Sequence, residues 1–214
     1  MNKTISNCFL VVSAVLLAVA FSGCGARQVS IKSDMYQPGI DPAAFSNYKG
    51  KTVIISEVIN KDDKTTTWAY KDQDRRLWYV NDISLEDYMK KALGTAFSKI
   101  GMKVHEPLQS DSGRMVVFPF MIRQVGQQKE VKLPPKTNDI RISILSFSNR
   151  EVLLRTSLLR DNTVLYSGMM KTAIEALPED KDGDSDLIMH SYRLMDKVAE
   201  TILTDKDFSA AFFK

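Results

Sequence analysis

The stretch SLEDYMKKALGTAFSKIGMKV, residues 84–104, carries the strongest structural signal in the chain. Its apolar residues recur at i, i+3, i+4 and i+7, which places them in one stripe along a helix. Ser84 stands in the N-cap position with Asp87 three residues on, as in a shortened capping box, and Gly101 follows the last apolar residue as a C′ glycine does. We therefore predict a helix over residues 84–100 that packs through this stripe.

Apolar, β-branched runs on either side of this helix have the length of strands. Residues 52–58 (TVIISEV) come before it, and residues 102–106 (MKVHE) come directly after it. Residues 115–122 contain Pro119, which cannot donate a backbone hydrogen bond and so places that strand at an edge or at a bulge. Three later runs separated by short polar turns predict an antiparallel meander, and these are residues 140–147, 152–159 and 163–167.

A second amphipathic helix is predicted over residues 185–203, with Asp186 favouring its N-terminal dipole. Strand 140–147 alternates apolar and polar residues, so one face of the sheet is expected to be half solvated. The predicted fold class is α+β: a single two-layer sandwich in which helices 84–100 and 185–203 pack on one face of a mostly antiparallel sheet. The terminal aromatic residues are expected to dock on the domain, the alternative being an exposed partner patch; they are Phe208, Phe212 and Phe213.

The chain opens with the features of a secretory signal peptide. Lys3 precedes an uncharged apolar run, residues 8–21 (CFLVVSAVLLAVAF), and the small residues Ser22 and Gly23 follow it. The run has 14 residues, whereas a membrane-spanning helix needs about 20. A removed signal peptide over residues 1–23 therefore fits, and a retained membrane helix does not.

Cys24 makes this segment a lipoprotein signal. The tetrad FSGC at residues 21–24 resembles the bacterial lipobox, with Phe21 where leucine is usual. The resemblance implies cleavage before Cys24, a thioether-linked diacylglycerol on its sulfur and an added fatty acyl chain such as palmitate; the alternative is a non-lipidated protein with a free cysteine. Gly25 stands where an aspartate signals inner-membrane retention in enterobacterial lipoproteins, so the expected location is the outer membrane, facing the periplasm.

Processing at this position leaves 191 residues, with 28 Lys and Arg against 26 Asp and Glu. A net charge so near zero argues against nucleic acid as a partner. Cys24 is then the sole cysteine, because Cys8 leaves with the signal peptide, and this excludes an internal disulfide, thiol catalysis and cysteine-ligated zinc.

Residues 24–44 lack the periodicity of a helix or strand. We expect them to form the lipidated N-terminus and a tether, of which fifteen extended residues would span about 50 Å. Residues 45–214 are then expected to form one periplasmic domain of ordinary size with its own core.

Residues 60–81 form a long connection that holds both tryptophans of the chain. Its aromatic faces and adjacent guanidinium groups suit a sugar, a lipid headgroup or a protein, and long loops are often functional. The candidate residues for binding a partner or ligand are Trp68, Tyr70, Arg75, Arg76, Trp78 and Tyr79. Two structural alternatives stay open: the aromatic residues pin this loop to the core, or part of it forms an additional hairpin.

Catalytic or metal chemistry finds little support in the sequence. His105 and His190 lie far apart, without a carboxylate at the spacing of a triad or a metal pair. The acidic stretch EDKDGDSD, residues 179–186, resembles half of a calcium loop, but counting from Asp180 the sixth and twelfth positions hold serine instead of the Gly and Glu of an EF-hand. We therefore predict no catalytic residue, no cofactor and no metal site. Residues 179–186 are interpreted as a solvated loop that caps the next helix, with calcium binding as the minor alternative.

The order of these elements is similar to that of small Gram-negative periplasmic lipoproteins of the YajG type and of ABC-transport auxiliary lipoproteins. The similarity covers most of residues 45–204 and includes IGMKV at residues 100–104. FSNYKGKTV at residues 45–53 and TTTWAY at residues 65–70 also resemble lipoproteins of envelope-rich proteobacteria. Because these families are largely non-enzymatic, the resemblance implies a binding or assembly role.

The sequence is compatible with three functions of different classes. The first is a non-catalytic, lipid-anchored accessory or assembly factor for a transporter, an outer-membrane complex or the peptidoglycan machinery, bound through the aromatic residues or the strand edge at Pro119. The second is a periplasmic carrier of a lipid or glycan, which needs a cavity between sheet and helices. The third is an envelope enzyme, which needs a cleft that gathers titratable side chains with shifted pKa values.

Overall fold

The structure, a computed structural model, describes two sheets, three α-helices and two 3₁₀ helices within residues 27–61, 68–71, 77–80, 83–105, 137–148, 150–175 and 184–214. For residues 27, 28, 68–71, 77–80, 184 and 185, the description covers the backbone and not the side chains. Several predictions from the sequence lie outside the described residues. These are the signal peptide, Cys24, Arg75, Arg76, the strand at residues 115–122 and the acidic stretch up to residue 183.

The described strands follow one another in groups along the chain, and helices separate these groups. The strands are β1 (Arg27–Val29), β2 (Thr52–Asn60), β3 (Trp68–Lys71), β4 (Leu77–Val80), β5 (Lys103–His105), β6 (Asn138–Phe147), β7 (Glu151–Arg160) and β8 (Thr163–Ala173). The α-helices are α1 (Leu85–Lys99), α2 (Asp184–Thr204) and α3 (Lys206–Phe213), and the 3₁₀ helices are Ser33–Met35 and Pro42–Tyr48. The larger sheet has the order β5-β2-β6-β7-β8, and the smaller one has the order β1-β4-β3.

The fold is α+β, as predicted, but the larger sheet is mixed. Strand β2 pairs in parallel with both β5 and β6, while β6, β7 and β8 pair antiparallel. The prediction of a mostly antiparallel sheet was therefore wrong. The parallel pairing of β2 with β5 follows from the connection through α1, because a helical crossover lets β5 run beside β2 in the same direction. The three consecutive buried residues Val53, Ile54 and Ile55 are typical of such a strand.

The predicted meander is confirmed as strands β6, β7 and β8. The turn between β7 and β8 is made by Asp161 and Asn162, whose φ angles are 49° and 63°. Positive φ at both central residues is the geometry of a two-residue hairpin with a type I′ turn, and Asp and Asn tolerate it better than most residues.

Helix α1 confirms the prediction from its sequence. The Ser84 side-chain oxygen accepts a hydrogen bond from the Asp87 backbone N–H at 3.1 Å, and Gly101 ends the helix with φ of 87°. The stripe faces the core, with buried Leu85, Tyr88, Met89, Ala92, Leu93, Ala96 and Phe97. Helix α1 contacts β2, β5 and α2, and α2 contacts β8.

The C-terminus forms a third helix, α3, that the sequence analysis did not predict. Phe208 and Phe212 are buried, so the expected docking of the terminal aromatic residues is confirmed for these two, whereas Phe213 is 41% exposed. Arg160 Nη2 donates to the Phe212 carbonyl oxygen at 2.9 Å, and Asp205 caps the helix by accepting from the Phe208 N–H at 2.7 Å. Helix α3 packs against β7 and β8.

The packed domain begins before residue 45, where the tether was expected to end. Val29, Ile31, Tyr36 and Ile40 are all buried and belong to the core. These residues are spaced irregularly in a polar segment, so their burial leaves no periodic signal in the sequence. Within the described ranges, no helix combines the length and apolar character that crossing a bilayer requires.

Candidate functional site

Strands β3 and β4 form an antiparallel pair, here called the aromatic hairpin, that carries four of the six candidate binding residues. Tyr70 is opposite Trp78, Trp68 is opposite Val80, and Tyr79 is opposite Ala69. Residues that are opposite each other, or two apart on one strand, share a face of a sheet. The register therefore brings Trp68, Tyr70 and Trp78 to one face and places Tyr79 on the other. The structure supports the alternative that part of the loop forms an additional hairpin. The other alternative, that aromatic side chains pin the loop to the core, concerns side chains that lie outside the description.

Strand β1 extends this sheet on the β4 side, in parallel with β4. Its register places Arg27 beside Trp78 and Val29 beside Val80. Two rows of residues result on one face: Val29, Val80 and Trp68 in the first, and Arg27, Trp78 and Tyr70 in the second. Val29 is a core residue, 4% exposed. The second row lies two residues nearer the N-terminus of β1 than the row that contains Val29.

Residues 29–41, which begin at the last residue of β1 and are here called the N-terminal segment, are fastened to α2 through Asp196. The Tyr36 hydroxyl donates to Asp196 Oδ1 at 2.5 Å, and the Gly39 backbone N–H donates to Asp196 Oδ2 at 3.0 Å. A Cβ atom on Gly39 would lie 2.9 Å from Oδ2, so glycine allows this close approach. Both carboxylate oxygens are thereby used to hold the N-terminal segment.

Further contacts fix the N-terminal segment to both long helices. The Tyr192 hydroxyl on α2 donates to the Lys32 carbonyl oxygen at 2.9 Å, and the Tyr36 and Tyr192 rings pack with centroids 5.5 Å apart. On α1, Lys99 Nζ donates to the Pro38 carbonyl oxygen. The chain from β1 to the second 3₁₀ helix is therefore part of the folded domain.

Burial dominates the electrostatics of the Tyr36–Asp196 pair. It raises the pKa of the Asp196 carboxyl, although the hydrogen bonds from Tyr36 and Gly39 oppose that change. Burial also raises the pKa of Tyr36, and the bond to Asp196 adds to this effect. A neutral phenol donating to a partly desolvated carboxylate is a strong structural bond, and the phenol is not activated as a nucleophile or base.

An open depression of about 430 Å³ lies beside Asp196, between the end of β8 and α2. Charges of both signs line it, among them Glu175, Arg193, Lys197 and Glu200. Lys197 Nζ and Glu200 Oε2 are 3.1 Å apart, and Arg193 Nη2 donates to the Glu175 carbonyl oxygen at 3.1 Å. Because acidic and basic side chains line it in similar numbers, the depression has no dominant charge. It is a surface feature, unlike the apolar interior cavity that a lipid carrier needs.

The two histidines lie on different elements. His105 ends β5 and is exposed, whereas His190 is buried on α2. Across the part of the chain that the structure describes, no three His, Cys, Asp or Glu side chains are grouped as metal ligands. The calcium alternative concerns residues 179–186, of which residues 179–183 lie outside that part.

Sequence reasoning did not identify Tyr36, Gly39 or Asp196. Tyr36 and Asp196 are 160 positions apart, and neither belongs to a recognisable motif. The one local signal was the Pro38-Gly39 pair, which indicates a turn but gives no information about what that turn contacts.

No family model and no curated protein matches the chain. Among solved structures, the chain is similar to protein XCC0632 from Xanthomonas campestris, described as belonging to family DUF330. The two chains are 11% identical, and the TM-score is 0.46 over 86% of this chain and 93% of the other.

Proposed function

We propose that the chain is a lipid-anchored lipoprotein of the cell envelope, held in the outer membrane and facing the periplasm. The observation that carries the proposal is the apolar run at residues 8–21 followed by the lipobox-like tetrad at residues 21–24. Cys24 is the proposed lipidation site, and the acyl chains bind it to one leaflet. Gly25 supports sorting to the outer membrane, because it stands where an aspartate signals inner-membrane retention in enterobacterial lipoproteins.

Its role in this proposal is that of a non-catalytic accessory or assembly factor for an envelope machine. Three described features support a binding role over catalysis. The Tyr36–Asp196 pair is occupied in holding the N-terminal segment, the two histidines lie on separate elements, and Lys197 and Glu200 in the depression beside Asp196 form an ion pair with each other. The proposed surface for a partner or ligand is the aromatic hairpin with Trp68, Tyr70, Trp78 and Tyr79, together with Arg75 and Arg76 between its strands.

The two-layer arrangement is part of the same proposal, with α1 and α2 on one face of the larger sheet. It is supported by the contacts of α1 with β2 and β5, and by those of α2 with β8. A stable layered domain of this kind presents its strand edges and connections to partners while its core stays closed.

Lipidation is tested by mass spectrometry of the N-terminal peptide from protein extracted from its native membrane. We expect a peptide that begins at Cys24 and carries diacylglycerol and a further acyl chain. Cys24→Ser should stop processing and acylation, because the attacking sulfur is gone, whereas the matched variant Cys8→Ser changes a residue of the removed peptide and should leave both intact. An unacylated N-terminus, or membrane attachment that survives Cys24→Ser, contradicts the proposal.

A further inference from the structure

The lipid anchor is close to the folded domain, because the chain between them is short. Cys24 precedes Arg27, the first residue of β1, by three positions. Three residues reach at most about 11 Å even when fully extended. The about 50 Å of tether expected from the sequence is therefore not available, since residues 29–41 are packed in the domain.

Strand register identifies which end of the smaller sheet is nearest the anchor. Strand β1 starts at Arg27, which is paired with Trp78, and Trp78 is paired with Tyr70. Beyond this row, the next pair of the aromatic hairpin is Lys71 with Leu77. In the opposite direction, β1 leads through Val29 to Ile31, and both of these residues are buried in the core. The end that carries Arg27, Tyr70, Lys71 and Trp78 is thus the anchor-proximal end of the sheet.

These residues have the chemistry of a membrane interface. Tryptophan and tyrosine concentrate at the level of lipid headgroups, where an amphipathic ring is partly apolar and partly hydrated. Lysine and arginine bind headgroup phosphates and are attracted by anionic lipids. Neighbouring strands are about 4.8 Å apart, so the three residues of the row form a continuous band about 10 Å wide.

Resting on the proposed lipidation of Cys24, we propose that the anchor-proximal end of this sheet contacts the bilayer that holds the acyl chains. The headgroup layer of one leaflet is about 5–8 Å thick, which is comparable with the reach of the three-residue connection. The sheet end is therefore held at the level of the headgroups. The lipid surface is then the ligand of the aromatic hairpin.

The two tryptophans provide a matched test, because the chain has no others. Trp68→Phe leaves Trp78 as the reporter in the anchor-proximal row, and Trp78→Phe leaves Trp68 as the reporter in the row that contains Val29. Each acylated, full-length mature protein is reconstituted in vesicles of phosphatidylethanolamine and phosphatidylglycerol with brominated acyl chains, and fluorescence quenching is measured. The rows are about 7 Å apart along the strand, so we expect at least about twofold stronger quenching of Trp78 than of Trp68. Equal quenching, or none of Trp78, overturns the proposal.

A second measurement covers the case in which a tryptophan variant fails to fold. Lys71→Cys introduces the one thiol of the acylated protein, because the Cys24 sulfur is a thioether, and it accepts an environment-sensitive fluorophore. Met169→Cys on β8, where Met169 is 66% exposed, is the matched control in the other sheet. We expect a blue shift on vesicle binding at position 71 and none at position 169. Identical spectra at the two positions also overturn the proposal.

The mass of the N-terminal peptide is measured on the same samples. An acylated protein with an unquenched Trp78 removes the membrane contact and leaves the proposed function intact. An unacylated N-terminus removes the proposed function, and the membrane contact that rests on it is overturned as well.

Discussion

Helix α1 and the N-terminal segment both contact α2, but different interactions hold them. Helix α1 buries seven side chains along one regular stripe. The N-terminal segment buries Val29, Ile31, Tyr36 and Ile40 at irregular spacing and adds hydrogen bonds from residues 36 and 39 to Asp196. Repeated burial makes α1 part of the cooperative core. The N-terminal segment adds fewer residues to that core, so we expect it to open locally while the rest of the core stays folded.

The largest effect is expected from truncation within the stripe of α1. Leu93 is fully buried, so Leu93→Ala removes apolar contacts and leaves a cavity. We expect the free energy of unfolding, measured by urea denaturation, to fall by about 2–5 kcal/mol. Lys91→Ala, an exposed position on the same helix, is the control and should change it by less than about 0.5 kcal/mol.

Ile31→Ala makes the same kind of truncation in the N-terminal segment, because Ile31 is also fully buried. It therefore tests directly whether the N-terminal segment and α1 open separately. Hydrogen exchange should show faster opening of residues 29–41 while α1 stays protected, because the N-terminal segment opens separately. If Ile31→Ala instead accelerates exchange equally in both regions, the N-terminal segment belongs to the cooperative core and the distinction between the two is wrong.

The second effect concerns the carboxylate that fastens the N-terminal segment. Asp196→Ala leaves the Tyr36 hydroxyl and the Gly39 N–H without their acceptor. We expect a loss of about 1–3 kcal/mol of unfolding free energy, together with earlier proteolytic cleavage within residues 29–41. Lys197→Ala, at the next position of α2 with its side chain 54% exposed, should leave the cleavage pattern unchanged. Identical cleavage of the Asp196→Ala and wild-type proteins would contradict the role of this carboxylate.

The third effect is a pH dependence that has the opposite sign to that of an ordinary ion-paired carboxylate. Burial raises the pKa of Asp196 in the folded state, so the folded protein binds this proton more tightly than the unfolded chain does. The stabilisation that comes from this bound proton is fully present below the pKa of Asp196 in the unfolded chain, about 3.9. It is lost as pH rises through the pKa of Asp196 in the folded protein. Wild type should therefore gain stability relative to Asp196→Asn on acidification from neutral pH.

The measurement is the difference in urea unfolding free energy between these two proteins across the acidic range. Asp196→Asn keeps an oxygen that can accept from Tyr36 and does not titrate, so its loss of the Gly39 bond adds a constant offset. A difference that stays constant with pH, or that falls on acidification, contradicts the raised pKa.

These two regions also show which features can be predicted from sequence. Helix α1 was predicted nearly to its ends because its stripe, N-cap and C′ glycine are all local signals. The meander was equally accessible through its turns, such as residues 161–162 with positive φ. The contact of Tyr36 with Asp196 could not be predicted, because 160 positions separate the two residues and their partnership depends on the completed fold.

The direction of strand pairing was accessible in principle but was misjudged. The strand, helix, strand order from β2 through α1 to β5 is typical of a parallel crossover, and the sequence contained all three elements. For the aromatic hairpin, the sequence identified the residue types at Trp68, Tyr70 and Trp78. Its closeness to the chain start depends on the pairing of β1 with β4, and three residues of β1 are too few to give a strand signal.

The smallest expected effects come from two glycines, one in each region, and they differ in sign. Gly94 lies inside α1, where an added Cβ atom would come no closer than 3.8 Å to Val104. Gly94→Ala should therefore raise the unfolding free energy by about 0.5–1 kcal/mol, because alanine loses less backbone entropy in a helix. Gly39→Ala places a Cβ atom 2.9 Å from Asp196 Oδ2, and the carboxylate must move away. Because this side chain can rotate, we expect a loss of only about 0.5 kcal/mol.

The Asp196→Ala background separates the causes in the N-terminal segment. In this background Asp196 Oδ2, which the Cβ atom of Gly39→Ala would approach, is absent, so the destabilising effect of Gly39→Ala should vanish. The stabilising effect of Gly94→Ala should persist unchanged. If Gly39→Ala remains equally destabilising without the carboxylate, the close approach seen at Gly39 is not what requires glycine there, and the backbone of the N-terminal segment must impose that requirement by itself.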